Sequence, residues 1–214
     1  MIFYYCKGVV YIVRNAIINK SMLFIKDNSS YNDEKLAEIK YGLESIYILI
    51  TKTIIILAVA FILGIFKEVV IFSLIYSLIR MPSFGLHATK SWICLVSSLS
   101  IFIIFPLICK YVVIPIWIKS VIGIINVLFM FKNAPADTYK RPIINKQRRD
   151  RYKLLSVLLA TIMCITSLFI KNSFLSNALI LSVFVQLFLI STFVYKVFGL
   201  PYNNYKNYIN SGLN

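Results

Sequence analysis

Charged residues are scarce in this chain, and acidic residues are the scarcest among them. Only 14% of the 214 residues are charged, with 23 Lys and Arg against 8 Asp and Glu, and the mean hydropathy is +0.80. A soluble domain of this length needs a polar shell that such a composition does not supply. The sequence therefore predicts a membrane protein and excludes an ordinary soluble domain.

Histidine and cysteine are also few. There is one histidine, and the four cysteines, at positions 6, 94, 109 and 164, show no paired spacing. Three of the cysteines lie in or beside apolar segments, which is typical of small hydrophobic residues and not of a disulfide framework. A zinc site needs three or four clustered ligands, so we expect no metal and no other cofactor. Without a folded basic domain, nucleic-acid binding is not expected either.

Apolar runs of about 20 residues can cross a bilayer as helices. The segments 45–66, 92–109 and 111–131 qualify, and 154–198 is divided by a polar triplet into 154–170 and 174–198. The segment 69–79 has only about half of the full length, so it could be short, tilted or re-entrant. The sequence predicts an all-α polytopic membrane protein with five or six crossings, and we favour six.

The basic residues orient the crossings. Eight of them lie in the loop 132–153 and six in residues 1–44, and such segments remain in the cytoplasm under the positive-inside rule. With six crossings, the cytoplasmic segments hold 18 basic residues and the outer turns hold three. We therefore expect a multi-pass membrane protein with both termini in the cytoplasm.

The remaining segments complete a single predicted domain, 1–214, whose transmembrane part is 45–198. Residues 1–20 predict an amphipathic helix in the cytoplasmic interface, although a seventh span is the alternative. A solvated helix, capped by Ser30 or Asn32, should then run into the membrane past Glu44. The tail 199–214 is predicted to be cytoplasmic, with its Asn- and Tyr-rich end from residue 202 frayed.

The window 80–94 contains the residues most suited to catalysis. It includes Arg80, Pro82, Gly85, His87 and Cys94, all at the mouth of a membrane span. Polar groups at this depth are costly and often functional. A cysteine protease needs a thiolate and an imidazole that stabilises it and protonates the leaving amine. His87 and Cys94 supply these two groups.

Their spacing needs a break in the helix. Seven residues of continuous helix rise by about 10 Å, which is too far for a direct hydrogen bond. Pro82 and Gly85 interrupt the helix before His87, and Ser91 is a suitable N-cap. Cys94 would then lie in the first turn, where the helix dipole favours a thiolate. The alternative, a packing cysteine and a solvated histidine, stays open on spacing alone.

Other residues could support this pair. Arg80 could neutralise a substrate carboxylate or stabilise an oxyanion, and Gly85 permits a backbone conformation that is closed to other residues. Glu44, at the same membrane face, could orient His87. In the basic loop, positive charge could serve only to orient the spans, or it could attract anionic headgroups and acidic peptides. The charges concerned are those of Arg148, Arg149 and Arg151.

Two motifs carry a resemblance to the accessory gene regulator B family (AgrB). The window from Arg80 to Cys94 resembles the family's Arg, Gly-Gly-x-His-Ala and Cys pattern, with Phe84 in place of the first Gly. Residues 134–143, Ala-Pro-Ala-Asp-Thr-Tyr-Lys-Arg-Pro-Ile, are similar to a second family motif. Residues 41–44, Tyr-Gly-Leu-Glu, also look like the family's approach to its first span. The resemblance covers nearly the whole chain.

The resemblance implies a cysteine endopeptidase of the bacterial cell membrane that processes a small quorum-sensing propeptide on the cytoplasmic side. Such enzymes remove an acidic C-terminal tail through a thioester on the cysteine, and the propeptide then closes a thiolactone or lactone ring. The implied partners are this propeptide and the lipid bilayer, and a homodimer is compatible with the sequence. The rival interpretation is a transporter or peptide-export scaffold, because the peptidase interpretation leaves Lys52 and Lys119 unexplained within spans.

Overall fold

The structure, a computed structural model, describes residues 2–86, 91–136 and 143–210, and within these ranges the side chains from residue 14 onward except those of residues 91, 207, 209 and 210. Within these ranges the chain forms helices and no strand, apart from one isolated bridge between Phe84 and Ala136. The all-α prediction is therefore confirmed. His87 lies outside the described residues, as do residues 137–142 of the second motif.

The chain divides into two compact units, Met1–Ile55 and Ile56–Asn214. The first contains α1 (Ile2–Asp27) and most of α2 (Asp33–Ile62). Asn32 caps α2 as predicted, because its side-chain oxygen accepts a hydrogen bond from the Lys35 N–H at 3.0 Å. The helix then continues from its solvated first turns into the apolar segment without interruption. A salt bridge of 2.7 Å between Arg14 and Glu44 joins α1 to α2.

The second unit is a bundle around α7. After the end of α2 it contains α3 (Phe66–Ser83), α4 (Ser91–Tyr111), α5 (Ile116–Asn133), α6 (Lys146–Phe169), α7 (Ser173–Leu189), α8 (Thr192–Val197) and α9 (Tyr205–Asn210). The central helix packs against α3, α4, α5 and α6. Most of its side chains are buried, which explains why it is apolar on nearly every face.

The outer surfaces of the helices are apolar, as a lipid environment requires. Among the described residues, α2, α4, α5 and α6 are long and apolar enough to cross a membrane, and α7 is a shorter apolar helix. Large side chains on α2 and α5 face outward, with Phe61 75%, Trp117 67% and Leu128 65% exposed. In water these surfaces would be unfavourable, whereas lipid tails solvate them. The polytopic membrane architecture is confirmed, and its orientation stays a prediction.

Two predicted spans differ in length from the observed helices. The segment 69–79 belongs to an 18-residue helix, α3. The helix is longer than the predicted span because it includes charged residues at both ends, which lower the hydropathy there. The segment 174–198, predicted as one span, forms α7 and α8 with a break after Leu189. The break is stabilised by Ser191, whose hydroxyl accepts a hydrogen bond from the Val194 N–H at 3.3 Å and so caps α8.

Polar side chains inside the bundle connect the helices. The buried ammonium of Lys119 on α5 donates to the Ser176 hydroxyl on α7, which gives this lysine a structural partner. One residue along α7, the Asn177 side chain donates to the Val112 carbonyl at 2.7 Å. Cys109 and Cys164 are buried in the same core, in agreement with the prediction that they act as small hydrophobic residues.

The end of the chain packs against the bundle. The Tyr202 hydroxyl donates to the side-chain oxygen of Asn133 at 3.1 Å, and its ring contacts that of Tyr195. Asn204 is buried, and α9 follows directly. The prediction of a frayed end is therefore wrong for residues 202–205, because polar composition did not reveal these tertiary contacts.

Candidate active site

The turn that follows α3, residues 84–86, is held by backbone hydrogen bonds from two distant segments. Gly85 donates to the Ala136 carbonyl at 3.2 Å, and Ala136 donates back to Ser83 at 3.1 Å. Leu86 donates to the carbonyl of Leu189, at the end of α7, at 3.0 Å. The turn thus joins the two sequence motifs to each other and to the break between α7 and α8.

Arg80 wraps around this turn from the last part of α3. Its guanidinium donates to the Phe84 carbonyl, to the Leu86 carbonyl at 2.9 Å and, more weakly, to the Gly85 carbonyl at 3.4 Å. Several rigid donors on one planar group suit a set of neighbouring acceptors of this kind. The contacts of Arg80 are therefore with the backbone before His87, and its predicted role on substrate stays a prediction.

Gly85 has a backbone conformation that other residues rarely adopt, as predicted, with φ of 112°. A Cβ atom at this position would lie 2.7 Å from the Arg80 Nη1 atom and 2.8 Å from the Leu189 carbonyl oxygen. Both distances are shorter than any normal contact. The absence of a side chain is what lets α3 and α7 close on the turn.

Phe84 also has a positive φ, with φ of 53° and ψ of −132°. These angles are close to those of the first central residue of a type II′ turn, where glycine is preferred. A side chain in such a conformation costs about 1–3 kcal/mol. The ring of Phe84 forms an edge-to-face contact with Tyr152 on α6, at 4.9 Å between centroids, which offsets part of that cost.

Gln186 on α7 completes the shell around the turn, and sequence reasoning missed it. Its side chain is fully buried, and its Nε2 atom donates to the Phe84 carbonyl at 2.6 Å. Its Oε1 atom accepts from the Tyr76 hydroxyl at 3.2 Å and from Arg80 at 3.5 Å. The available signal was an amide within an apolar run, where polar side chains are often functional.

Cys94 is the fourth residue of α4 and lies in its first turn, as predicted, although the helix begins at Ser91 itself, which was predicted to be the capping residue before it. The residue is half-buried, and its carbonyl accepts a hydrogen bond from the Ser97 hydroxyl at 3.2 Å. The N–H groups of a first helical turn have no partner within the helix and favour negative charge nearby. The distance from Cys94 to His87 falls outside the described residues, so their pairing stays a prediction.

The start of α6 provides a cavity with a basic lining. Its volume is about 380 Å³, and it is lined by Asn145, Gln147, Arg148, Arg151, Tyr152 and Leu155. Because Tyr152 also contacts Phe84, the cavity adjoins the 84–86 turn. Arg149 is not part of the lining, since its guanidinium lies 3.8 Å from the centroid of the Tyr205 ring. The structure therefore separates the three predicted arginines into two groups.

Glu44 has a partner of its own in the first unit. Its carboxylate forms the salt bridge with Arg14, and the side chains of Arg14 and Glu44 are 26% and 32% exposed. A partly exposed ion pair of this kind contributes little to stability, so it does not by itself explain the acid at the membrane boundary. The predicted orientation of His87 by Glu44 stays a prediction.

Comparison with known proteins places this arrangement in a family. The sequence profile of accessory gene regulator B matches residues 18–190. The chain belongs to the accessory gene regulator B family. An AgrB-like protein of Clostridium acetobutylicum is 31% identical over 80% of this chain and 82% of its own. The accessory gene regulator protein B of Staphylococcus aureus strain MW2 is 28% identical over 71% and 81%. No solved structure matches the chain.

The accessory gene regulator B match includes every element that meets at the 84–86 turn. It begins within α1 and ends at Ile190, the residue after α7. An AgrB-like protein of Listeria innocua, 31% identical, covers 87% of this chain and is itself covered over 92%. The residues matched by the family profile, 18–190, therefore include Arg80, Cys94, Gln186 and all residues that line the basic cavity.

Proposed function

We propose that this chain is a membrane cysteine endopeptidase of the accessory gene regulator quorum-sensing system, acting on a small propeptide. The observation that carries the proposal is the position of Cys94 in the first turn of α4. Only residues 87–90, which include the single histidine, separate that helix from a backbone turn held by α3 and α7. His87 therefore lies in a short segment whose two ends are fixed, by the turn before it and by the start of α4 after it. A short segment of this kind limits how far the imidazole can lie from the Cys94 thiol.

In the proposed reaction the Cys94 thiolate attacks the carbonyl carbon of the scissile bond. The carbon–nitrogen bond then breaks, and the leaving amine takes a proton from the His87 imidazolium. The products are the released C-terminal tail and a thioester between Cys94 and the remaining propeptide. A thiol or hydroxyl of the propeptide gives its proton to His87 and attacks the thioester. This second step forms the ring and releases the Cys94 thiol.

Cyclisation needs the tethered nucleophile to react before water does. An intramolecular nucleophile has a high effective concentration, and a membrane-edge site limits access of water to the thioester. The half-buried position of Cys94 supports this requirement. Hydrolysis would instead lose the energy of the thioester and give a linear peptide.

The proposal is tested by trapping the thioester. The chain would be co-expressed with the propeptide encoded beside its gene, with the ring-forming Cys or Ser of that propeptide replaced by alanine. We expect the tail to be released and the peptide containing Cys94 to gain the mass of the propeptide's N-terminal part. Because thioesters react with hydroxylamine, that added mass should disappear on treatment. Release of the tail with the acyl group on another residue would contradict the proposed mechanism.

The basic cavity at the start of α6 is the proposed site for the acidic tail. The double variant Arg148→Gln/Arg151→Gln should weaken binding of the propeptide about tenfold at low salt, because two cavity charges are lost. The difference should shrink at high salt, where exposed charges are screened. Binding would be measured by fluorescence anisotropy with protein in nanodiscs.

Arg149→Gln is the matched control, since it removes the same charge from the same helix but lies over Tyr205 and not in the cavity. We expect its affinity to stay close to that of the unmodified protein. Equal affinities for the double variant and the control would show that the cavity does not bind the tail.

A further inference from the structure

We propose that Gln186 is a positioning residue for the His87–Cys94 pair, acting through the 84–86 turn. This inference rests on the proposed function, since it assigns Gln186 a role in the reaction of Cys94. Gln186 lies on α7 and is far in sequence from both residues. It would not touch the substrate. Its effect would come from fixing the backbone from which the segment with His87 extends.

The contacts of Gln186 are suited to this role. Its amide N–H donates to the Phe84 carbonyl, which also accepts from Arg80. Its amide oxygen is held in turn by the Tyr76 hydroxyl and by Arg80. A planar amide with partners on both ends has one preferred orientation, so it fixes the direction of the carbonyl that it binds.

The other side of the turn is fixed by the same helix. Leu86, the residue before His87, is buried and donates its N–H to the Leu189 carbonyl at 3.0 Å. Gln186 and Leu189 both belong to the last turn of α7, where the final carbonyls have no partner within the helix. That turn thus holds the first residue of the 84–86 turn through a side chain and the last residue through a backbone carbonyl.

The burial of the Gln186 amide has a cost that needs an explanation. α7 is the central, mostly apolar helix, and an apolar side chain at position 186 would avoid the cost of removing an amide from water. A purely structural link between α3 and α7 would also explain an amide there. The two explanations differ in one respect, because only positioning predicts that the reactivity of Cys94 depends on Gln186 through His87.

Alkylation of Cys94 by iodoacetamide separates these explanations and needs no substrate. The rate would be measured at about pH 7 on the full-length protein in nanodiscs, by mass spectrometry of the peptide that contains Cys94. Loss of the imidazole in His87→Ala should slow the reaction on the order of tenfold, because an unpaired thiol is mostly protonated at this pH. We expect Gln186→Met, which keeps the length of the side chain, to approach the same slow rate.

The double variant His87→Ala/Gln186→Met should react no more slowly than His87→Ala, because both changes remove the same interaction. Asn177→Leu is the matched control. It removes another fully buried amide from α7, with hydrogen bonds to the end of α4 and no contact with the turn. We expect Asn177→Leu to react at the rate of the unmodified protein.

The proposal is overturned if Gln186→Met reacts at the unmodified rate while His87→Ala is slow, or if the two effects multiply in the double variant. An unmodified rate for His87→Ala would instead contradict the proposed catalytic pair itself, and the positioning role with it. If Gln186→Met does not fold, Gln186→Glu keeps the acceptor for Tyr76 and removes the donor to Phe84. The same slow rate is expected for that variant, and an unmodified rate would again overturn the proposal.

Discussion

Replacing Cys94 by alanine should abolish release of the propeptide's tail, and replacing His87 by alanine should reduce it at least about a thousandfold. Without the thiol no thioester can form, and without the imidazole no group in the proposed mechanism supplies a proton to the leaving amine. Release would be followed by mass spectrometry of the tail after co-expression.

Cys109→Ala is the appropriate control for Cys94→Ala. Both cysteines belong to α4, but Cys109 is buried in the core near the other end of the helix. We expect Cys109→Ala to process the propeptide at the unmodified rate per folded molecule, which would be verified by the amount of protein extracted from the membrane. Normal cleavage by Cys94→Ala would contradict the nucleophile assignment, and normal cleavage by His87→Ala would contradict the assignment of the acid and base.

Much of the fold could be predicted from the sequence because a segment that crosses lipid must be both apolar and helical. Runs of apolar residues located α2, α4, α5 and α6, and local capping rules placed Asn32 before α2 and Cys94 in the first turn of α4. These features depend on neighbours in the chain, and a single sequence contains that information. The basic loop predicted at 132–153 is shorter in the structure, because α5 continues to Asn133 and the charged residues 146–153 form the first turns of α6.

The shell around the turn could not be predicted in the same way. Its contacts join residues that are distant in sequence: Gln186 to Phe84, Leu189 to Leu86 and Ala136 to Gly85. Hydropathy treats α7 as one more apolar segment, because averaging over a window hides a single amide. Hydropathy also misses the end of α7 at Leu189. The carbonyl of Leu189 accepts a hydrogen bond from the Leu86 N–H instead of from a residue later in a continuous helix. Tertiary hydrogen bonds decide both features.

Phe84 is the one departure from the family motif, and its backbone angles show what glycine would contribute there. In the family motif that residues 80–94 resemble, glycine stands at this position, and the observed φ of 53° and ψ of −132° are angles that glycine adopts without cost. In this chain the residue adopts these angles although it has a side chain. The three donors around the turn, from Arg80, Gln186 and the N–H of Ala136, together with the ring contact to Tyr152, hold the strained residue in place.

Gly85→Ala should eliminate processing and destabilise the second unit by about 2–5 kcal/mol. The backbone strain of a side chain at φ of 112° accounts for about 1–3 kcal/mol. The rest follows from the new Cβ, which would meet Arg80 at 2.7 Å and the Leu189 carbonyl oxygen at 2.8 Å. Arg80 can rotate away only by losing its bonds to the turn, and each buried carbonyl left without a donor costs about 1–3 kcal/mol. The Leu189 carbonyl belongs to the backbone and can move only with the end of α7.

Gly64→Ala is the control that separates backbone strain from steric overlap of the new Cβ. Gly64 also has a positive φ, of 68°, but a Cβ there would meet nothing within 4 Å. We expect Gly64→Ala to lose about 1 kcal/mol from strain alone and to keep normal processing. Thermal unfolding in detergent and release of the tail would be measured for both variants. Equal losses for the two would mean that Gly85 matters only for its backbone angle, and an active Gly85→Ala would show that the close approach of α3 and α7 at the turn is not needed to place His87.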